Sequence, residues 1–378
     1  MISSAGPRRR CHALVTGGGT SGHVLPAIAI MDRLAAAGHH RETLHYAGTR
    51  LGIEARLLPP TGYVATFFDV VGLQRALSLR NVEFVPKLVR ATWLAVRLLR
   101  RLRPAVVVNV GGYASMPCTI AALLCRVPVV VVSYDRRPGL ASRLSARWAA
   151  TVAAAFEDSP LPRARTTGAP IRAEIIAIDR AADRAGARAR LGVPDDRFMI
   201  AVFGGSLGAK VINEAVEGLV ERWGDRGDLY VHHVVGERWL GEVSPSPPAL
   251  QGQAGIMYHV IGYDDRISEL YAASDLMITR AGASTIAELA ATGTPAIVVP
   301  WPDAAENHQL DNARTLSDLG AAVLVEQAAL TVDRLCSEVD DLVAHPERRA
   351  TISRAARAAG ERHRGDSLID LIDEVAAR

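Results

Sequence analysis

Short runs of β-branched and other apolar residues alternate along this chain with longer amphipathic stretches. "HALVTGG" runs into a helix predicted over about 26–37, and "TLHYAG", "AVVVNVGG", a further helical stretch and "VPVVVVS" follow. Strands that are apolar throughout and separated by helices predict βαβ units, with a parallel sheet covered on both faces. After the Pro- and Gly-marked segment "TTGAPIRAEI" the rhythm restarts with "FMIAVFGGSLGA", "LYVHHVVG", "IMYHVIGY", "DLMITRAGAST" and "PAIVVPW". Each half opens with a strand that enters a glycine-rich turn and a helix. The expected fold class is therefore α/β, with two facing Rossmann-like domains and a cleft between them at the carboxyl ends of the strands. The expected boundaries are 1–168 and 169–346, with the helical, Arg- and Ala-rich segment 347–378 packing back across the first domain.

A length of 378 residues suits two domains at roughly 100–200 residues each. Hydrophobic residues at 49% and charged residues at 22% exclude a disordered chain. The net charge of +3 is too small to argue for nucleic acid, and no nucleic-acid partner is expected. Cys11, Cys118, Cys125 and Cys336 show neither C-x-x-C spacing nor the density of a disulfide framework, so they read as buried thiols in a reducing cytosol. The longest apolar tract, "TIAALLCRVPVVVVS", is broken by Arg126 and Pro128. It falls short of the ~20 residues a bilayer span needs and reads as a helix followed by a buried strand. Too few apolar residues follow Arg8, Arg9 and Arg10 for the h-region of a signal peptide.

The first turn, "TGGGTSGHVLPA", has G-x-G-x-x-G spacing through Gly17, Gly19 and Gly22. A dinucleotide site also needs an acidic residue at the end of the second strand to bind the ribose. That strand end reads "HYAGT" and Glu42 precedes it, which weighs against NAD or FAD; a P-loop is excluded because G-x-x-x-x-G-K-[ST] does not occur. "TRAGASTIAEL" in the second half is the better nucleotide turn. Its strand ends at Arg280 and its helix begins near Ser284, where free N–H groups and the positive dipole end suit a diphosphate. Glu288 follows Thr285 by three residues, about one 5 Å turn along the same face, where a carboxylate can take both ribose hydroxyls. The same four residues form a T-x-x-E capping box that would stabilise any helix start. Further on, "VVPWPDAAENHQLDNA" puts His308, Gln309 and Asn312 on one helix edge, placed either to cap and solvate or to read sugar hydroxyls. No metal-ligand cluster is apparent, and no cofactor is expected.

"GGGTSGHVLPA", "VGGYASMP", "FGGSLGAKVIN", "TRAGASTIAELAATGTPAIVVP" and "HQLDNA" resemble, in order and spacing, the motifs of the MurG family. The resemblance spans about residues 14–342. It implies a GT-B fold and an inverting transfer of N-acetylglucosamine from UDP-GlcNAc to a polyprenyl-diphosphate-linked muramyl pentapeptide, lipid I to lipid II, at the cytoplasmic face of the membrane. On the donor side it implies that Glu288 binds the ribose, that Ser284, Thr285 and Ser206 face the donor, and that Arg172 and Arg280 supply charge near the leaving diphosphate. Tyr263 would lie beside the uracil, and Gln309, flanked by His308 and Asn312, at the sugar. On the acceptor side it implies that Thr20, Ser21 and Gly22 bind diphosphate, with His23 as general base on the acceptor hydroxyl, imidazole being the side chain that titrates near neutrality. Gly111, Gly112, Tyr113 and Ser142 would line the acceptor site. The alternative for His23 is a helix-cap role.

Two stretches depart from the family pattern. Leu207 stands in "GGSLGA" where the family has Gln. "VVVVSYDRRPGLASR" lacks the His, Glu and Asn of the family loop and is one residue shorter, with Asp135 as the substitute carboxylate and Ser142 in place of Asn. These changes leave open a relative that glycosylates another lipid or a secondary metabolite, or a non-catalytic UDP-sugar-binding protein. Finally, "VEFVPKLVRATWLAVRLLRRLR" sets Phe84, Val85, Leu88, Val89 and Trp93 among Lys87 and several Arg. It is expected to adsorb to an anionic membrane surface, where each Lys or Arg near the leaflet contributes about 1 kcal/mol. An amphipathic core helix with a solvated basic face is the alternative.

Overall fold

The computed structural model describes residues 10–72, 80–205, 207–243, 255–304 and 307–378. The chain divides into two units, one of residues 1–173 with 365–378 and one of residues 174–364. The first is built on β1 (Ala13–Thr16), β2 (Leu44–Thr49), β3 (Val64–Phe68), β4 (Val106–Asn109), β5 (Val129–Ser133), β6 (Thr151–Ala154) and β7 (Ala164–Thr166), in the order β3-β2-β1-β4-β5-β6-β7. The second carries β8 (Phe198–Phe203), β9 (Leu229–Val234), β10 (Met257–Ile261), β11 (Leu276–Thr279), β12 (Ala296–Val298) and β13 (Val323–Leu324), in the order β10-β9-β8-β11-β12-β13. Every neighbouring pair is parallel. Both units are thus Rossmann-like, with the strand order reversing between β1 and β4 and between β8 and β11.

Valines of β4 and β5 and leucines of the covering helices close the first core, while Ile200, Val202, Leu219, Leu276 and Leu335 help close the second. The periodicity predicts the central strands but not β3, β6, β7 or β13. β3, β7 and β13 are edge strands with partly exposed side chains, so they lack a fully apolar run. The first helix also differs from expectation. It runs Ser21–Ala36, starting five residues before Pro26. A proline inside a helix removes the N–H that would bond the carbonyl four residues earlier. That carbonyl, on Gly22, instead accepts a hydrogen bond from the Tyr134 hydroxyl.

The helix Pro346–Arg364 belongs to the second unit and crosses Ala283–Thr292 closely, since a Cβ on Gly360 would stand 2.3 Å from the Ala290 carbonyl. Only Ser367–Ala376 packs on the first unit, against helix Ser21–Ala36 and strands β4 and β5. It is fastened there by Asp373, which meets His12 Nε2 at 2.8 Å and His39 Nε2 at 3.0 Å, and by Glu374, which takes a bond of 2.6 Å from Arg165. The rings of His12 and His39 stack with centroids 3.6 Å apart, and both Nε2 atoms reach Asp373. That is the geometry of two imidazoles hydrogen-bonded to one carboxylate.

Burial pushes three other histidines well below the ordinary 6.5: His45 and His363 to about 4, and His233 to about 3. Each is neutral when folded and takes up a proton more readily when unfolded. Their contribution to stability is complete above about pH 6.5 and is lost as pH falls toward the folded values, by about 1.4 kcal/mol per pH unit and group. Thermal melting followed by circular dichroism should therefore show Tm falling between pH 7 and pH 5, and a flat Tm across that span would contradict it.

Candidate active site

The two turns that follow β1 and β4 lie side by side because those strands are neighbours, and the Val110 N–H donates to the Thr16 carbonyl at 2.8 Å. His23, half-buried in the first turn of helix Ser21–Ala36, lies over the second of these turns. A Cβ on Gly111 would stand 3.0 Å from His23 Cδ2, and one on Gly112 would stand 2.5 Å from the Gly18 carbonyl oxygen, so only glycine permits the approach. Thr20 occupies the helix cap position without bonding a backbone N–H; its Oγ1 lies 3.0 Å from His23 Nδ1. The Tyr113 ring rests against Gly19, and the buried Ser142 hydroxyl faces Gly111. The structure thus gathers Thr20, Ser21, Gly22, His23, Gly111, Gly112, Tyr113 and Ser142 at one end of the sheet. Asp135 is half-buried beside Tyr134, the residue that reaches the Gly22 carbonyl.

Two residues that hold this arrangement escape the sequence reading. Asn109 is fully buried; it accepts from the Gly111 N–H at 2.7 Å and donates to Thr119 at 2.9 Å and Ser145 at 3.0 Å. Its signal is a lone amide closing an all-valine strand. Tyr134 is the other, a buried phenol whose partner depends on Pro26 more than a hundred residues earlier, so no local pattern reveals it.

In the second unit the helix Ala283–Thr292 begins straight after β11, with Gly282 as its cap residue and no side-chain cap. A T-x-x-E box needs Thr285 at the cap, but Thr285 lies inside the first turn and Glu288 is engaged elsewhere, so the capping-box alternative does not hold. Glu288 Oε2 accepts from the hydroxyl of the fully buried Tyr271 at 3.0 Å, a partner that sequence spacing does not reveal. The Ser284 hydroxyl oxygen is buried and has no hydrogen-bond partner among the described residues. Arg280 donates to the carbonyls of Val299 and Pro300 at 3.2 Å each, and burial pushes its guanidinium down to about 10, which leaves it charged at neutral pH.

Helix His308–Ser317 laces the adjoining turns together. Gln309 Oε1 accepts from the Trp301 N–H at 3.0 Å, and His308 is half-buried at the helix start. Asn312 is buried beneath the turn and donates to the Ala281 carbonyl at 3.4 Å. Tyr263 is exposed beyond the end of β10, Arg172 is half-buried just ahead of the short helix Ala173–Ile176, and Ser206 lies outside the described residues.

Comparison with known proteins agrees with this geometry. Residues 13–154 match the glycosyltransferase family 28 N-terminal domain and residues 199–368 the family 28 C-terminal domain. The chain is 36% identical over 372 residues, 97% of its length and 98% of the relative's, to a protein of Desulforudis audaxviator named UDP-N-acetylglucosamine–N-acetylmuramyl-(pentapeptide) pyrophosphoryl-undecaprenol N-acetylglucosamine transferase. A protein of the same name from Clavibacter michiganensis is 39% identical over 367 residues, 97% of each chain. The chain belongs to the MurG family. The crystal structure of Acinetobacter baumannii MurG superposes with a TM-score of 0.71 at 26% identity, covering 97% of this chain and 99% of that one, which makes the fold GT-B.

Within the MurG family the departures noted above acquire a structural setting. The rewritten loop after β5 is tied down at Tyr134 through Gly22 and at Arg136 through an ion pair with Asp158. Leu207 is well exposed, and its carbonyl accepts from the Trp239 indole N–H at 3.2 Å. Tyr271→Phe removes the phenol that orients Glu288. Hydrogen bonds to charged groups contribute about 1.5–3 kcal/mol, so calorimetric titration should show UDP affinity reduced by about 10-fold or more. Unchanged affinity would mean that Tyr271 does not act on UDP binding through Glu288.

Proposed function

We propose that this chain transfers N-acetylglucosamine from UDP-N-acetylglucosamine to N-acetylmuramyl-(pentapeptide) pyrophosphoryl-undecaprenol, forming lipid II for peptidoglycan, at the cytoplasmic face of the membrane. The observation that carries the reading is 39% identity across 97% of the chain to a relative named for that transfer. The two turn geometries support it chemically.

In the second unit, the start of helix Ala283–Thr292 and the unpartnered Ser284 hydroxyl receive the diphosphate, Glu288 takes the ribose hydroxyls, and the Gln309 amide is presented to the sugar. Arg280 and the helix dipole balance charge as UDP departs. In the first unit, His23 Nδ1 and Thr20 Oγ1 lie 3.0 Å apart, and the tautomer that carries its proton on Nδ1 acts as base through Nε2. The acceptor O–H bond breaks with its proton passing to Nε2, the oxygen bonds to the anomeric carbon from the face opposite UDP, and the carbon–oxygen bond to phosphate breaks with its electron pair leaving on UDP. The anomeric configuration inverts.

The acceptor is a membrane lipid, and helix Arg80–Leu102 provides a docking face. Its inner side buries Ala91, Ala95, Leu98 and Leu99, yet its outer side leaves Val85, Val89 and Trp93 60%, 63% and 56% exposed among Arg90, Arg97, Arg100 and Arg101. Helix Met116–Cys125, packed against it, adds Leu123 and Leu124, 50% and 64% exposed. A core helix with a merely solvated basic face would not present this apolar stripe. Among the described residues no helix is long and apolar enough to cross a membrane, so adsorption is the mode proposed.

Purified protein should move labelled N-acetylglucosamine from UDP-GlcNAc to a short-chain lipid I analogue. His23→Ala should lower kcat by about 100-fold or more with little change in donor KM, as loss of a general base does, whereas Glu288→Ala should chiefly raise donor KM. Donor binding without transfer would overturn the acceptor assignment. In co-sedimentation with vesicles containing anionic phospholipid, a Val89→Glu/Trp93→Glu variant should bind at least 10-fold more weakly than wild type while UDP binding is retained; equal binding would remove this face from the reading.

A further inference from the structure

The missing acidic residue at the end of the second strand is present after all, five residues later, and it turns inward. Glu54 opens the short helix Glu54–Leu57 and is fully buried. Its Oε1 accepts from the Thr49 N–H at 2.9 Å, and both carboxylate oxygens accept from the Gly19 N–H at 3.2 Å. Among the described residues these are its hydrogen-bond partners. The space around it is cleared by glycines: a Cβ would lie 2.2 Å from a Glu54 oxygen if placed on Gly18, and 1.9 Å if placed on Gly52. Tyr46 completes the support, its hydroxyl donating to the Gly17 carbonyl at 2.6 Å. Burial first, and then the Glu54 charge, raise the phenols of both Tyr46 and Tyr113.

A buried carboxylate held by neutral N–H groups costs several kcal/mol of desolvation, so simple chain support is a poor explanation for it. Its position is more telling. A glycine turn ahead of a helix ordinarily points its N–H groups at a bound anion. Here the inner side of that turn already holds one, supplied by the chain itself. We infer that Glu54 is a positioning residue of the transfer reaction: by drawing the Gly19 N–H inward it fixes the turn that sets Thr20, Gly22 and His23 toward the acceptor's diphosphate. The inference rests on the acceptor assignment made above. Glutamine in its place has one acceptor oxygen and no charge, and in place of Oε2 it turns an amide NH2 toward the Gly19 N–H, so the turn's anchor is weakened at nearly constant volume.

Glu54→Gln is expected to raise KM for a lipid I analogue at least 10-fold and leave KM for UDP-GlcNAc within 2-fold. An unchanged acceptor KM, or equal rises in both, overturns the inference, the latter because general loosening would affect both substrates. If wild type transfers nothing, the functional reading fails, and a separate titration still judges Glu54. Geranyl diphosphate, added with UDP saturating, should bind Glu54→Gln at least 10-fold more weakly than wild type; equal binding overturns the inference. Should the variant not fold, hydrogen exchange of wild type decides. Peptides covering 16–22 and 48–54 should gain protection when geranyl diphosphate is added under the same conditions, and no change there counts against Glu54.

Discussion

A parallel sheet whose strand order reverses beside its first strand leaves a gap at that point, and helix starts open into it with N–H groups that no carbonyl of the helix can reach. The rest of this molecule answers to that constraint, twice over. At β1 and β4 the gap is lined by Gly17–Gly22 and Gly111–Gly112, and at β8 and β11 by the turn around Gly282. An anion can approach so closely only where side chains are absent, which is why glycines collect there. Of the polar residues that matter, Thr20, His23 and Ser284 occupy the cap or first turn of the helices that begin at these gaps, and Glu288 lies one turn further on.

The two gaps are held open by different means. In the second unit the support is largely neutral: the Tyr271 phenol under Glu288, Asn312 beneath Ala281, and the carbonyls of Ala290 and Ala291 pressed by Gly360 and capped by Arg364. A helix whose far end is crossed and capped this way cannot shift along its axis, so its N–H groups stay aimed. In the first unit the support is a buried charge, and the first helix carries a proline in its second turn. One feature stiffens the turn from within, and the other releases a carbonyl that a distant loop then uses. The first gap therefore depends on residues remote in sequence, and the second mainly on its immediate neighbours.

That difference decides what could be read from the chain alone. The central strands, the restart at the second half, the placement of Glu288 one turn beyond Thr285 and the convergence of His23 on the first turn all follow from local spacing. The edge strands β3, β7 and β13 did not announce themselves, because half-exposed strands need no continuous apolar run, whereas the edge strand β10 was legible in "IMYHVIGY". The capping-box alternative could be discarded only once the helix was seen to begin at Ala283. Tyr271, Asn109 and Glu54 were passed over for one reason: each is a buried polar group whose meaning lies in a partner brought near by the fold. Where such partners lie many residues away, as Thr119 and Ser145 do from Asn109, periodicity has nothing to register.

The rewritten loop after β5 shows how a family turn can change its letters and keep a defined seat. Pro26 deprives the Gly22 carbonyl of its helical donor, and a hydrogen bond that replaces it contributes about 0.5–1.5 kcal/mol. Any residue of the neighbouring loop that brings a donor to this point is held there by that same energy. In this chain the donor is Tyr134, and the loop's next residues are drawn into place beside it, with Arg136 closing on Asp158 and stacking 5.4 Å from the Phe156 ring centroid. The requirement comes from the helix and not from the loop. A loop under that constraint is free to alter the side chains it shows to solvent as long as it returns one hydroxyl or N–H to Gly22, so the absence of the family's His, Glu and Asn changes those side chains without unseating the segment that carries them.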